Sequence, residues 1–206
     1  MILKRVIVGD FDTNCYLVGD SATREIFILD PGSEPEKILE QVSENNFHIL
    51  NIINTHGHID HIGANRIREN LNYSIPILAH PNDKSFFSDP EKNLSSLFDL
   101  PFISPEPDKF LEEGNEVKIG KYSFKVILTP GHTPGSICLF GEEILFSGDT
   151  LFKEGIGRTD FPESSLIDME ISLQKLSTLP DETIVYPGHG ERTTIGQAKR
   201  ENPFFK

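Results

Sequence analysis

The chain has 206 residues, 37% of them hydrophobic and 25% charged, which suits one soluble domain with a sizeable core and would be tight for two. The formal net charge of -13 repels phosphate backbones, so neither nucleic acid nor anionic membrane is an expected partner, and solubility is the plain account of the charge. Two cysteines, Cys15 and Cys138, sit in apolar strand-like runs and read as core thiols, and nothing suggests a disulfide framework.

The N-terminal stretch Met1 to Val6 lacks a signal-peptide layout, and no run is long enough to span a membrane, so a cytoplasmic location is the default expectation. Three strand-like runs open the chain, Ile2–Val8, Asn14–Val18 and Glu25–Leu29. Gly9-Asp10 and Gly19-Asp20-Ser21 separate them, which predicts an antiparallel meander. Asp30-Pro31-Gly32 ends the third run. Ser33 with Glu36 three residues on reads as a capping box, Pro35 suits a first turn, and Ile38, Leu39 and Val42 give the following helix one apolar face up to Asn45-Asn46.

Ile49 to Ile53 reads as a buried strand. A helix is expected over 62–71, a strand over Ile75–Leu78, and a short polar helix from His80-Pro81-Asn82-Asp83. Residues 88–108 are rich in Ser and Pro, yet Leu94, Leu97, Phe98, Leu100 and Phe102 are apolar. A disordered linker would not carry that many, so the stretch reads as an ordered excursion, either a lid or a loop packed on the body. Strands return at Glu116–Ile119, Tyr122–Leu128, Ser136–Phe140 and Ile144–Ser147, with Gly120-Lys121 and Gly141-Glu142 suited to tight hairpins. A helix over Glu163–Ser177 carries Leu166, Met169, Leu173 and Leu176 as a core stripe. Thr183–Tyr186 is a last strand and Thr194–Arg200 a last helix. Two blocks of strands, each closed by helices, suggest two sheets packed face to face with helices outside.

The chemistry concentrates in Thr55-His56-Gly57-His58-Ile59-Asp60-His61, on a turn after a buried strand. Imidazole nitrogen and carboxylate oxygen are good ligands for zinc and other divalent transition metals. His-x-His lets two rings converge on one ion, while Asp60 and His61 point elsewhere and can serve a second. Three later segments have the same character: Thr129-Pro130-Gly131-His132-Thr133-Pro134-Gly135, Phe146-Ser147-Gly148-Asp149-Thr150 and Val185-Tyr186-Pro187-Gly188-His189-Gly190. Taken singly, His132 or His189 reads as a structural histidine, and Gly148-Asp149 as a common turn. As a set, five of seven histidines in Gly-rich turns after apolar strands point to metal. His48, at a helix end, reads as exposed. His80, before a proline, reads as a turn cap.

His-x-His-x-Asp-His at 56–61, Gly-His-Thr-Pro-Gly-Ser at 131–136, Gly-Asp-Thr at 148–150 and Gly-His at 188–189 together resemble the metallo-β-lactamase superfamily, over nearly the whole chain. The resemblance implies an α/β fold, a four-layer αβ/βα sandwich of two mixed β-sheets with helices on the outer faces, with residues 1–206 as a single domain. It implies two divalent metal ions on one edge, zinc by preference, with iron or manganese as alternatives. By position, His56, His58 and His132 would hold the first, Asp60, His61 and His189 the second, and Asp149 would bridge them. A shared hydroxide would be the nucleophile, and Asp60 could orient it.

Gly148 to Pro162, with Gly157-Arg158-Thr159-Asp160-Phe161 inside it, is similar to the glyoxalase II group, which hydrolyses hydroxyacyl-glutathione thioesters. Typical members carry a lysine where Arg158 stands and a tyrosine where Asp160 stands, both helping to bind glutathione. They also carry a C-terminal helical domain, and no counterpart is expected after Lys206. Arg158 could instead bind a substrate carboxylate or pair with Asp160, and Lys153 could act similarly. The same stretch resembles persulfide dioxygenases of this fold, which use one iron and oxygen. Secreted β-lactamases and nucleic-acid-processing members fit less well, and a non-enzymatic metal-binding module would be favoured only by a missing ligand. The resulting expectation is a metal-dependent hydrolase acting on a small-molecule thioester, with a persulfide dioxygenase as the alternative.

Overall fold

Alternating apolar residues between Gly- and Asp-containing turns make strands the main element of the chain. The computed structural model describes residues 1–99 and 101–205, so Leu100 and Lys206, both named above, lie outside the described residues. The first sheet follows chain order: β1 (Ile2–Val8), β2 (Thr13–Gly19), β3 (Glu25–Leu29), β4 (His48–Ile53), β5 (Ile77–Ala79) and β6 (Lys109–Phe110). β1 to β3 form the expected antiparallel meander, and β3 to β6 run parallel. The second sheet also follows chain order: β7 (Glu116–Ile119), β8 (Tyr122–Leu128), β9 (Ile137–Gly141), β10 (Ile144–Gly148), β11 (Ile184–Pro187) and β12 (Thr193–Thr194). Its neighbours are antiparallel except for the parallel pair β10–β11. Among the described residues, four α-helices, α1 (Pro35–Glu44), α2 (Ile59–Ile62), α3 (Leu166–Ser177) and α4 (Ile195–Glu201), complete the fold. No helix among the described residues is long and apolar enough to cross a membrane.

The two-residue period of the strands sorts their side chains into layers. Along β2, Cys15 and Leu17 join an outer cluster with Ile38 and Val42 of α1, while Tyr16 and Val18 face the other way. Phe27 and Leu29 of β3 do the same and meet Phe124, Val126, Leu139 and Phe146 of the second sheet in the central core. On the far side, Cys138, Leu145 and Val185 pack against Met169, Leu173 and Leu176 of α3 and against Ile195 and Ala198 of α4. The result is helix, sheet, sheet, helix, with both cysteines as buried free thiols.

Several local expectations change for identifiable reasons. The helix expected over 62–71 breaks into the single turn α2 and a 3₁₀ segment over Asn65–Asn70. The Ala64 amide donates to the Pro31 carbonyl at 2.8 Å rather than back along the helix. The buried Asn65 amide donates to Asn54 Oδ1 and Ser104 Oγ, both at 3.0 Å. Ser33 does not cap α1. Glu34 precedes the helix in a left-handed conformation (φ 49°), and its carboxylate accepts from the Gly9 amide at 2.8 Å. The β9–β10 turn is Glu142-Glu143, both at positive φ (53° and 61°), because Gly141 pairs with Ile144 inside the ladder. The turn at Gly120-Lys121 lies where expected, between the paired Ile119 and Tyr122.

The 88–108 excursion has a buried root. Asn93 donates to the carbonyls of Phe86 and Phe102, each at 3.0 Å, and the Ser104 amide donates to the Phe87 carbonyl at 2.8 Å. Its tip, with Leu97 and Phe98, is exposed.

Phe124 is fully buried between the sheets, with Phe27 and Phe146 ring centroids 5.9 and 5.8 Å away. Phe124→Ala is expected to lower unfolding free energy by about 3–5 kcal/mol in urea melts, through lost transfer energy and the cavity left behind.

Candidate metal centre

The cluster assembles where strands run out. β4 delivers Thr55 and His56, and α2 starts directly after His58 and carries Asp60 and His61. The loop after β8 carries His132, while β10 and β11 end just before Asp149 and His189. Two glycines make room. A Cβ on Gly57 would overlap Phe86 Cβ, and one on Gly188 would overlap Asp149 Oδ1. The Ile59 amide donates to the Asn93 carbonyl at 2.9 Å, which ties the start of α2 to the root of the excursion.

Hydrogen bonds fix which ring nitrogen is free on His56, His132 and His189, and a carboxylate faces His61. His132 Nδ1 donates to the Arg158 carbonyl at 2.9 Å, and His189 Nδ1 donates to the Phe11 carbonyl at 2.9 Å. His61 Nδ1 lies 3.0 Å from Asp30 Oδ2. Thr55 Oγ1 donates to the same Asp30 oxygen at 2.8 Å, so it can accept from His56 Nδ1 at 3.2 Å. The Nε2 atoms of these four rings are thereby turned toward a common space, and His58 Nδ1 joins them 2.9 Å from His132 Nε2.

Three donor groups result, each with its atoms within 4.8 Å of one another: His56, His58 and His132; His56, His61 and Asp149; and Asp60, His61 and His189. Asp149 Oδ1 is 3.4 Å from His61 Nε2, and its Oδ2 is 3.6 Å from His132 Nε2 and 3.5 Å from His189 Nε2. Asp60 Oδ2 is 3.1 Å from His189 Nε2. All seven residues singled out in the sequence therefore converge. His56 Nε2 and Asp149 Oδ1 are buried with no hydrogen-bond partner. Leaving such atoms unpaired costs about 1–3 kcal/mol each, and a cation among them would remove that cost. The donor set fits a dinuclear metal site.

The electrostatics agree with that fit. Burial, reinforced by His61 and His132, holds His56 well below the ordinary histidine value, and burial with His132 lowers His58 to about 3. Both are neutral rings with lone pairs available for a metal. Burial opposes charge on Asp149, yet His61 and His189 outweigh it and hold the carboxyl below its usual range. Burial also opposes charge on His61, and Asp60, Asp149 and Asp30 outweigh it.

A family model for the metallo-beta-lactamase superfamily matches residues 8–189. The chain belongs to the metallo-beta-lactamase superfamily. Hydroxyacylglutathione hydrolase GloC of Haemophilus influenzae is 36% identical over the whole chain and 98% of its own length. The crystal structure of the BLEG-1 B3 metallo-beta-lactamase superposes with a TM-score of 0.93 at 36% identity, covering 100% of both chains. That of TTHA1623 in a di-iron-bound form gives 0.84 at 35% identity, covering 98% of this chain and 99% of that one. These matches agree with the four-layer sandwich read from the core.

Other supports of this metallo-beta-lactamase centre carried no metal-like spacing. Asp30, left-handed at φ 53° and buried, accepts from the Thr55 amide at 2.7 Å as well as facing His61. Its one signal was a carboxylate directly after a buried strand, the pattern that marked Asp149. Asp83 is buried and accepts from the amides of Gly57 and Gly135 at 2.9 and 2.7 Å and from Thr133 Oγ1 at 2.7 Å, so it ties two ligand loops together. Nothing in its sequence context marks it.

Of the two expected substrate cations, Arg158 lines a cavity beside the cluster and forms a two-pronged pair with Asp160, at 2.9 and 2.8 Å. Lys153 pairs with Glu191 at 2.8 Å. His80 caps the 3₁₀ segment Pro81–Phe87 by accepting from the Asn82 amide at 3.2 Å, and His48 is exposed against Tyr73.

Asp30→Ala leaves His61 Nδ1 without its carboxylate and should weaken metal binding roughly 10–100-fold, measured by competition with a chromophoric chelator. Burial pushes Asp83 up to about 6, against the pull of its three donors. The folded protein then keeps a proton that the unfolded chain loses near the ordinary carboxylate value, so this group's contribution to stability falls as pH rises from about 4 to 6. The stability of Asp83→Asn relative to wild type should therefore improve across that window, by on the order of 2–3 kcal/mol in denaturant titrations at each pH.

Proposed function

We propose that the protein is a metal-dependent hydrolase of the glyoxalase II-like group, acting on a thioester. The observation that carries this reading is the set of three converging donor groups beside an open cavity, in a chain 36% identical to a hydroxyacylglutathione hydrolase. In this reading residues 1–206 work as one domain. His56, His58 and His132 would hold one ion, Asp60, His61 and His189 the other, and Asp149 would lie between them. Two divalent ions held there would bring water toward ionisation near neutral pH and polarise the attacked carbonyl.

The chain's own groups then do the positioning. Asp60, in reach of His189 and 3.5 Å from the Thr13 hydroxyl, would orient the nucleophile by accepting its proton in a hydrogen bond. Asp30, Thr55 and the carbonyls of Phe11 and Arg158 hold four rings in one orientation, so little reorganisation is needed as charge develops on the carbonyl oxygen. Phe161, whose ring centroid is 5.4 Å from that of His58, and Phe152, 6.2 Å from His189, keep bulk water off the carbon–sulfur bond that breaks as the thiolate leaves. A second reading, an iron-dependent persulfide dioxygenase, draws on Gly157 to Phe161 and on the di-iron form of TTHA1623.

Metal-loaded protein should hydrolyse lactoyl-glutathione, followed by loss of thioester absorbance. His58→Ala should lose bound metal and cut turnover by more than roughly 100-fold, the upper end of what loss of a supporting partner costs. Full activity in that variant would sink the ligand assignment. No hydrolysis, together with oxygen uptake on a glutathione persulfide by iron-loaded protein, would replace the hydrolase reading with the dioxygenase.

A further inference from the structure

The cavity beside the cluster has a volume of about 340 Å³ and includes His58, Asp60, His132, Asp149 and His189 in its lining. Apart from Arg158, the rest of the lining is apolar: Phe11, Leu94, Leu97 and Phe98 come from two loops, and Phe152, Ile156 and Phe161 from the stretch after β10. Leu97 and Phe98 are 66% and 47% exposed, and Phe98 meets Phe11 edge to face with centroids 5.2 Å apart. Large side chains left in water directly beside a reactive cluster gain when a ligand covers them. The tip that carries them is bracketed by Leu94 and Asp99, both left-handed at φ 68° and 55°. Their backbone strain marks a shape held by the surroundings rather than by local preference.

The cations near this cavity are already paired. Among the described residues, Arg158 is the one lysine or arginine in the lining. Its guanidinium is paired in two-pronged fashion with Asp160 and lies 4.4 Å from the Phe161 ring centroid, so its planar face adds to the apolar wall. An adjoining cavity of about 410 Å³ shares Phe11, Ile59, Asp60 and Phe98. It adds Asp10 and Ser33 and, among the described residues, no lysine or arginine. Among the described residues, Arg158, already paired with Asp160, is the one side-chain cation that either space offers to the carboxylates of a charged thiol carrier.

Building on the hydrolase reading above, we propose that the substrates are thioesters of apolar acyl groups, selected by burial of the acyl chain against Phe11, Leu97, Phe98 and Phe161 rather than by charge on the thiol. The acyl carbonyl lies at the donor cluster with its chain along this wall. Hydrolysis transfers one water across the carbon–sulfur bond, giving the apolar carboxylate and the free thiol.

The test uses metal-loaded protein and acetyl, butyryl, hexanoyl and octanoyl thioesters on two carriers, glutathione and uncharged N-acetylcysteamine. The expected result is a kcat/KM that rises by roughly threefold per methylene until the cavity is filled, equally on both carriers. Leu97→Ser with Phe98→Ser, at exposed positions, should lower the octanoyl-to-acetyl ratio roughly tenfold, chiefly through KM. Ile167→Ser, at a 72% exposed position on α3 outside the cavity, should leave the series as it was. A flat or falling series, or rates that follow glutathione over N-acetylcysteamine, overturns the inference and leaves the hydrolase reading standing. Hydrolysis of none of the eight compounds by protein shown to hold its metal overturns the hydrolase reading, and the inference goes with it.

Discussion

The carboxylate of Asp30 is the contact on which the rest of the centre depends. It closes β3 in a left-handed conformation and accepts from both the amide and the hydroxyl of Thr55, at the end of the neighbouring strand. Its second role is electrostatic, since the Oδ2 atom that takes the Thr55 hydroxyl also faces His61 Nδ1 at 3.0 Å. One buried acid therefore fixes the loop that carries His56 and, through Thr55, the ring of His56, and places a negative charge beside His61. A buried carboxylate survives only when its partners are in place, so this corner of the fold is intolerant of any slip in the β3–β4 register.

The sheets explain why the donors meet at one edge. In each sheet a parallel pair sits at the point where the antiparallel order changes, β3–β4 in the first and β10–β11 in the second. Asp30, His56, Asp149 and His189 all follow the carboxyl ends of these four strands, and the β8 end supplies His132. Two parallel neighbours end on the same edge of their sheet, so the loops that leave them emerge side by side. Packing the two sheets face to face brings the two sets of loops together. The central phenylalanines and leucines thus set the distance between ligands as well as the stability of the core.

Much of this was legible in the chain. Ligand chemistry demands particular residue types, and the strands that present them are short apolar runs closed by turn residues, so the seven donors and the layer order could both be read. What escaped depends on contacts between segments far apart. Propensity favours a helix over 62–71, but it cannot register that Asn65 will be drawn to Asn54 and Ser104 or that Ala64 will bond to Pro31. Ser33 and Glu36 satisfy the local rule for a cap, while Glu34 is claimed by Gly9 across the fold. Asp83 is invisible for the same reason: its three donors come from around positions 57 and 134, and no spacing along the chain announces them.

The excursion over 88–108 separates the two demands on such a site. Its root, through Asn93, holds the first amide of α2 and so belongs to the frame of the donor cluster. Its tip touches the cluster only by lining the same cavity, through side chains that are largely in water. On the proposal above, a change at Leu97 or Phe98 would alter what the cavity accepts at little cost to folding, because exposed residues contribute little to stability. A change at Asn93 disturbs both, since it leaves buried backbone groups without partners. Variation in substrate among proteins built on this frame is therefore expected at the tips of loops whose roots cannot move.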